Sequence, residues 1–132
     1  MAKKKLIKFA DMETMDCVFQ PDLETVLNDT FELKGKWHEN YFKNDNPLIV
    51  ELGCGKGEYA VGLGKKYPEK NYIGIDVKGA RVWEGANTTR EENLTNIGWV
   101  RARIDFVHTF FGKDEVDEIW LTFSDPQPNK PN

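Results

Sequence analysis

From position 47 onward, hydrophobic residues fall into four short runs that are separated by longer amphipathic stretches. The runs match buried strands and cover residues 48–52, 71–76, 99–103 and 118–123. The stretches between them predict helices over 58–67 and 79–93 and a short helical piece near 105–111. Strands that alternate with such helices are typical of right-handed βαβ crossovers. The pattern therefore predicts an α/β fold, a parallel sheet with helices on both faces.

The first 46 residues lack this regularity. Turn signals occur at Pro21, at Gly35 and in the run Asn44-Asp45-Asn46-Pro47. Pro21 and Asp22 suit the first turn of a short helix over 22–29. We therefore divide the chain into an extension, 1–46, which is partly irregular or helical, and an α/β domain, 47–132.

Charge and composition exclude several functional classes of protein. The net charge of −4 argues against coating nucleic acid by bulk electrostatics, although residues 1–10 carry four lysines and no acid. No apolar run is long enough to span a membrane, so we expect no membrane partner. Cys17 and Cys54 make neither a disulfide framework nor a zinc site, and His38 and His108 lack metal-ligand spacing. We expect a cytoplasmic protein without a metal.

A glycine-rich segment follows the first predicted strand and reads Glu51-Leu52-Gly53-Cys54-Gly55-Lys56-Gly57. A dinucleotide fingerprint would need glycine at position 58, and a P-loop would need Ser or Thr after Lys56. The remaining pattern, an acid followed by three alternating glycines, resembles motif I of class I methyltransferases, which bind S-adenosylmethionine. There the strand-end carboxylate helps to hold the ammonium of the cofactor. The alternative is an ordinary glycine-rich turn between a strand and a helix.

Two further acids lie at strand ends. Asp76 closes the second predicted strand, where a carboxylate can accept both ribose hydroxyls of an adenosine. Asp125 follows the fourth strand and precedes Pro126, which makes the segment rigid. In class I methyltransferases this position orients the acceptor nitrogen. The alternatives are a turn cap for Asp76 and a plain Asp-Pro turn for Asp125.

Together, residues from about 33 to 128 resemble the bacterial tRNA (guanine-N7)-methyltransferases, which methylate guanine 46 in the variable loop. Besides the glycine segment, the matching stretches are Lys34-Gly35-Lys36-Trp37, Asn44-Asp45-Asn46-Pro47, Asn71-Tyr72-Ile73-Gly74-Ile75-Asp76, Lys78-Gly79-x-Arg81-x-Trp83-x-Gly85-Ala86 and Phe123-Ser124-Asp125-Pro126. The resemblance implies a Rossmann-like class I fold and an enzyme that uses S-adenosylmethionine and tRNA. It also implies a monomer for the complete enzyme.

The resemblance further implies roles for individual residues. Asp125 is the expected catalytic residue, and the expected cofactor contacts are Glu51, Gly53, Gly55, Gly57, Asp76 and Asp125. The family's adenine contact falls on Arg103, and Asp105 is an alternative on chemical grounds. The family's substrate-contacting lysine falls on Asn129, next to Lys130. From their charge alone, and not from the resemblance, RNA contacts are expected from Lys3, Lys4, Lys5, Lys8, Arg81, Arg90 and Lys130, unless the first lysines form a disordered, solvated terminus.

The chain also departs from the family, because it stops at Asn132 where the family continues through its last strands. We therefore expect a truncated fold. Two other functions stay open: an inactive cofactor- or RNA-binding fragment that needs a partner chain, and a class I methyltransferase with a different substrate. An unpaired fourth strand would expose Ile119, Leu121 and Phe123, which predicts self-association.

Overall fold

The computed structural model describes residues 2–122 and contains one five-stranded parallel sheet. In chain order the strands are β1 (Val18–Phe19), β2 (Leu48–Leu52), β3 (Asn71–Asp76), β4 (Ile97–Arg101) and β5 (Glu118–Leu121). Their order across the sheet is β1-β4-β3-β2-β5, and each neighbouring pair is parallel. The chain thus builds outward from β2 through β3 to β4 and then returns to the other side of β2. This confirms the predicted α/β sheet and puts the point where strand order reverses between β2 and β5.

Helices connect these strands. The α-helices are α1 (Ala2–Met12), α2 (Leu23–Leu27), α3 (Glu58–Lys66) and α4 (Gly79–Glu91), and a π-helical turn (Trp37–Phe42) and a 3-10 helix (Ile104–Thr109) complete the set. Asp22 caps α2, since its side chain accepts a hydrogen bond from the Thr25 amide at 2.8 Å. Among the residues described, no helix is long and apolar enough to cross a bilayer.

Two apolar layers cover the two faces of the sheet. Alternate side chains of β2 divide between them, because Leu48, Val50 and Leu52 belong to one cluster and Ile49 to the other. The first layer holds residues of α2, the π-helical turn and the 3-10 helix, whereas the second holds residues of α1, α3 and α4. Helices therefore lie on both faces, as predicted.

Trp37 lies at the centre of the first layer and is fully buried. Its indole N–H donates to the Phe110 carbonyl at 2.8 Å. The buried carboxylate of Glu115 accepts the amides of Gly35 at 2.7 Å, Trp37 at 2.9 Å and Gly112 at 2.8 Å. These bonds tie the stretch Lys34-Gly35-Lys36-Trp37 to the loop before β5.

Residues from the N-terminal extension also join the sheet. β1 pairs with β4, and the Trp99 amide donates to the Cys17 carbonyl at 2.8 Å. β4 begins two residues before the predicted strand, because Ile97 and Gly98 pair with Tyr72 and Ile73 of β3. The division of the chain at residue 46 stays a prediction.

Candidate functional site

Glu51 and Asp76 lie on neighbouring strands at the carboxyl edge of the sheet. Glu51 pairs with Gly74, and Asp76 ends β3 two residues later. Because side chains alternate along a strand, both carboxylates point to the same face. The sheet therefore brings together two of the residues that the sequence predicts for a cofactor site.

The glycine loop 53–57 lies between these two acids. Gly53 and Gly55 have φ angles of 75° and 58°, in the left-handed region that favours glycine. The Gly55 amide donates to Asp76 Oδ2 at 2.8 Å, and the Lys78 amide donates to Asp76 Oδ1 at 2.9 Å. The Asp76 carboxylate thus fixes both the glycine loop and the start of α4, and each oxygen keeps a lone pair for a ligand hydroxyl.

The indole of Trp99 fills the space beneath the glycine loop. A Cβ atom at Gly57, Gly74 or Gly85 would lie 2.2, 2.5 or 2.6 Å from this ring. The indole N–H donates to Thr89 Oγ1 at 2.9 Å, and the whole side chain is buried. Three glycines from the loop, β3 and α4 therefore make room for one aromatic ring, which supports the loop from below. The sequence contains these glycines and the tryptophan, but their spacing does not reveal the contact.

Glu51 is 5% exposed, and its two carboxylate oxygens differ in their hydrogen bonding. Thr122 donates its hydroxyl to Oε2 at 2.6 Å, whereas Oε1 is buried and accepts no hydrogen bond from the described residues. Burial raises the pKa of Glu51, and the hydrogen bond from Thr122 and the nearby backbone amide of Ala60 offset this only in part. A buried carboxylate oxygen without a donor is costly, so the site suits a ligand that brings a cationic donor. The ammonium of S-adenosylmethionine has this chemistry, and the residues therefore fit that cofactor.

A cavity of about 210 Å³ opens at the ends of β3 and β4, beyond Asp76. Its lining includes Val77 and Arg103, together with Leu23 and Val26 of α2. Arg103 donates to Asp105 at 2.7 Å, and both side chains are 66% exposed. Of the two predicted adenine contacts, Arg103 lines this cavity, while Asp105 is engaged by the Arg103 guanidinium.

Asp125, Asn129 and Lys130 lie outside the residues that the structure describes. Cys54 is buried in the glycine loop, and burial raises the pKa of its thiol well above the usual value, so the thiol stays protonated. In the described part of the chain, no group of three or more His, Cys, Asp or Glu side chains could hold a metal ion.

The sequence of residues 45–131 matches the model of a protein family described as "Putative methyltransferase". The chain belongs to this methyltransferase family. It is similar to proteins named tRNA (guanine-N(7)-)-methyltransferase, with 52% identity to that of Bacteroides fragilis over 98% of this chain. The identity to that of Christiangramia forsetii is 53% over 96% of this chain. The family resemblance inferred from the motifs is thus confirmed.

The chain spans about half the length of these relatives, 52% of the first and 56% of the second. Solved methyltransferases share the fold of this family member at low sequence identity. An antibiotic-related methyltransferase has a TM-score of 0.58 and 18% identity over 70% of this chain and 48% of that chain. Geranyl diphosphate C-methyltransferase from Streptomyces coelicolor A3(2) has a TM-score of 0.52 and 18% identity over 74% of this chain and 31% of that chain. These similarities confirm the class I methyltransferase fold.

Proposed function

We propose that this chain carries the cofactor-binding part of a cytoplasmic tRNA (guanine-N7)-methyltransferase. The enzyme would transfer a methyl group from S-adenosylmethionine to N7 of guanine 46 in the variable loop of tRNA. The observation that carries the proposal is the buried, half-paired Glu51 carboxylate beside the glycine loop and Asp76. The names of the relatives at about 50% identity support the choice of tRNA and of guanine N7.

The residues at the carboxyl edge of the sheet bind different parts of the cofactor in this proposal. Glu51 accepts a hydrogen bond from the cofactor ammonium, and Asp76 accepts from the ribose hydroxyls. The glycine loop lets the cofactor approach the backbone. Arg103 lines the cavity proposed for the adenine, with Asp105 as the other candidate contact.

The cofactor supplies an electrophilic methyl group on a sulfonium. Guanine N7 carries an in-plane lone pair and no proton, so the protein needs no general base to activate it. The remaining task is to align N7 with the methyl carbon. We assign this positioning to Asp125, which can accept from guanine N–H groups, and we assign substrate contacts to Asn129 and Lys130.

The first experiment is calorimetry of S-adenosylhomocysteine binding to this chain. Glu51→Gln should weaken binding by about tenfold or more, because a charge-assisted bond to the ammonium is lost. Glu58→Gln is the matched control, since Glu58 is exposed on the first turn of α3 and should leave binding unchanged. Equal affinities for the wild type and Glu51→Gln would contradict the assigned role of Glu51.

The second experiment is methyl transfer to unmodified tRNA, with the product base mapped. The proposed function predicts 7-methylguanine at position 46.

Because the chain spans about half the length of its relatives, a second candidate function is a cofactor- or RNA-binding fragment that needs a partner chain. Binding of S-adenosylhomocysteine without methyl transfer would favour this fragment. Transfer to another acceptor would favour a class I methyltransferase with a different substrate.

A further inference from the structure

The N-terminal helix α1 runs along α4 and reaches past its beginning. The two helices run in the same direction. Phe9 lies against Gly79 at the start of α4, whereas Asp11 accepts hydrogen bonds from Trp83 and Arg90 further along α4. The Arg101 guanidinium lies 4.6 Å from the centre of the Phe9 ring. Gly79 is the first residue of α4 and Arg101 is the last of β4, so Phe9 lies at the carboxyl edge of the sheet.

The residues before Phe9 therefore extend beyond that edge. Lys8 still contacts α4 through Glu84 and Trp83, so the free stretch is residues 3–7. At about 1.5 Å per residue, these five residues add about 8 Å of helix. Residues 3–7 are all exposed, and we call them the basic arm because they include Lys3, Lys4 and Lys5. The basic arm therefore lies beyond the carboxyl edge of the sheet, the edge that also carries the glycine loop and Asp76.

Contacts with α4 hold α1 in place. Asp11 accepts from Trp83 Nε1 at 2.8 Å and from Arg90 Nη1 at 2.8 Å, and these bonds lower the pKa of Asp11 to about 2. Lys8 forms a salt bridge to Glu84 at 3.0 Å, and Met12 is 1% exposed. The arm is thus the continuation of an anchored helix.

The charge near the arm contrasts with that of the whole chain. The first ten residues carry four lysines and no acid, although the net charge of the chain is −4. Lys78 and Lys56 are exposed in the two loops that end at α4 and α3. Among nearby acids, Glu84 is paired with Lys8, Asp105 is paired with Arg103, and Asp76 accepts two amides. The acids Glu13 and Asp16 lie beyond the end of α1.

We propose that Lys3, Lys4 and Lys5 of the basic arm bind the phosphate backbone of the RNA substrate and hold it over the carboxyl edge. This rests on the proposed function. Lysine side chains on a rigid helix suit phosphates, which position a nucleic acid without reading its sequence. The exposed Leu6 and Ile7 would also suit a bilayer. RNA is favoured, because a membrane bound to the arm would obstruct the edge where the proposed site lies.

The test measures binding of unmodified tRNA to this chain by fluorescence anisotropy at several salt concentrations. The triple variant Lys3→Gln, Lys4→Gln, Lys5→Gln should weaken binding by about tenfold or more at low salt. The magnitude of the slope of log K against log salt should fall by about two to three, at roughly 0.7–0.9 per phosphate contact. Replacement of the same three lysines by arginine should retain the slope.

The matched control is Lys65→Gln, Lys66→Gln, Lys70→Gln. Lys65 and Lys66 end α3 and Lys70 precedes β3, so these lysines lie at the opposite edge of the sheet. The control removes the same charge and should leave the slope unchanged. Equal losses in the two triple variants would overturn the proposal, because they would indicate bulk electrostatics.

Two further outcomes separate this proposal from the proposed function. If the wild type binds both S-adenosylhomocysteine and tRNA, and the arm variant binds tRNA with an unchanged slope, the arm proposal fails alone. If the wild type binds S-adenosylhomocysteine but not tRNA, the arm proposal fails, whereas the assignment of this chain as the cofactor-binding part stands. Arm-dependent binding to vesicles of anionic phospholipid, with unchanged tRNA binding, would overturn RNA as the partner and identify a membrane surface instead.

Discussion

At the scale of single residues, the raised pKa of Glu51 predicts a pH-dependent stability. Because the native state favours protonated Glu51, its contribution is largest at low pH. The free energy of unfolding of the ligand-free chain should therefore fall as pH rises from about 4.5 through the raised value. Urea unfolding at a series of pH values measures this slope. Glu51→Gln should be less pH-dependent across the same window, and an identical profile for both proteins would contradict the argument.

The affinity for S-adenosylhomocysteine should change in the opposite direction. The ammonium of the ligand needs ionised Glu51, so the affinity should rise with pH over the window in which stability falls. Calorimetry at the same pH values measures it. An affinity that is flat across this window would show that Glu51 is ionised throughout or does not contact the ammonium.

Gly57 and Gly62 offer a matched pair for the contact between Trp99 and the glycine loop. Gly57 has a φ of 77°, and a Cβ there would lie 2.2 Å from the Trp99 ring, whereas a Cβ at Gly62 meets nothing within 4 Å. Gly57→Ala should destabilise the chain by about 2–4 kcal/mol. Gly62→Ala in α3 should stabilise it by about 0.5–1 kcal/mol. Urea unfolding measures both, and similar effects for the two variants would exclude a tight fit around Trp99.

Some residues of the site could be predicted from the sequence, and others could not. Glu51 and Asp76 could be predicted because they are the penultimate and the last residue of two regular strands, and the carboxyl ends of parallel strands meet at one edge. The role of Trp99 could not be predicted, because its three glycine neighbours belong to the loop, to β3 and to α4. Their approach depends on how these elements pack.

At the scale of elements, the Asp11 carboxylate should hold α1 against α4. Asp11→Ala removes the bonds from Trp83 and Arg90, so the amides of α1 should exchange with solvent faster. Hydrogen exchange measured by mass spectrometry reports this directly. Asp29→Asn is the control, since Asp29 pairs with half-buried Lys34 away from α1 and asparagine tolerates its φ of 55°. Unchanged exchange in Asp11→Ala would show that apolar contacts alone hold the helix.

Whole elements also differ in how well the sequence predicts them. The strands over 48–52 and 71–76 were predicted with their observed bounds, because both are regular apolar runs. β1 was missed, because two residues are too few to form a pattern and Val18–Phe19 becomes a strand only by pairing with β4. The sequence does not distinguish the helix α1 from a solvated terminus, because its anchors, Trp83, Glu84 and Arg90, lie far away in the sequence.

At the scale of the whole molecule, β5 determines how the chain should behave in concentrated solution. It pairs with β2 along one edge, and no other described strand pairs with it. Ile119, Trp120 and Leu121 are 55%, 38% and 65% exposed, although they lie on both faces of the strand. An exposed apolar edge strand can pair with a second chain. We therefore expect the average mass from light scattering to rise with protein concentration.

A charge on this strand should reduce the association. Ile119→Lys places a lysine at an exposed position of β5 and should shift the mass toward that of a monomer. The control is Leu27→Lys on α2, which adds the same charge at a side chain that is 68% exposed. If only Ile119→Lys lowers the mass, association proceeds through β5. A wild type that stays monomeric at high concentration would contradict self-association, and equal effects of both lysines would point to net charge as the cause.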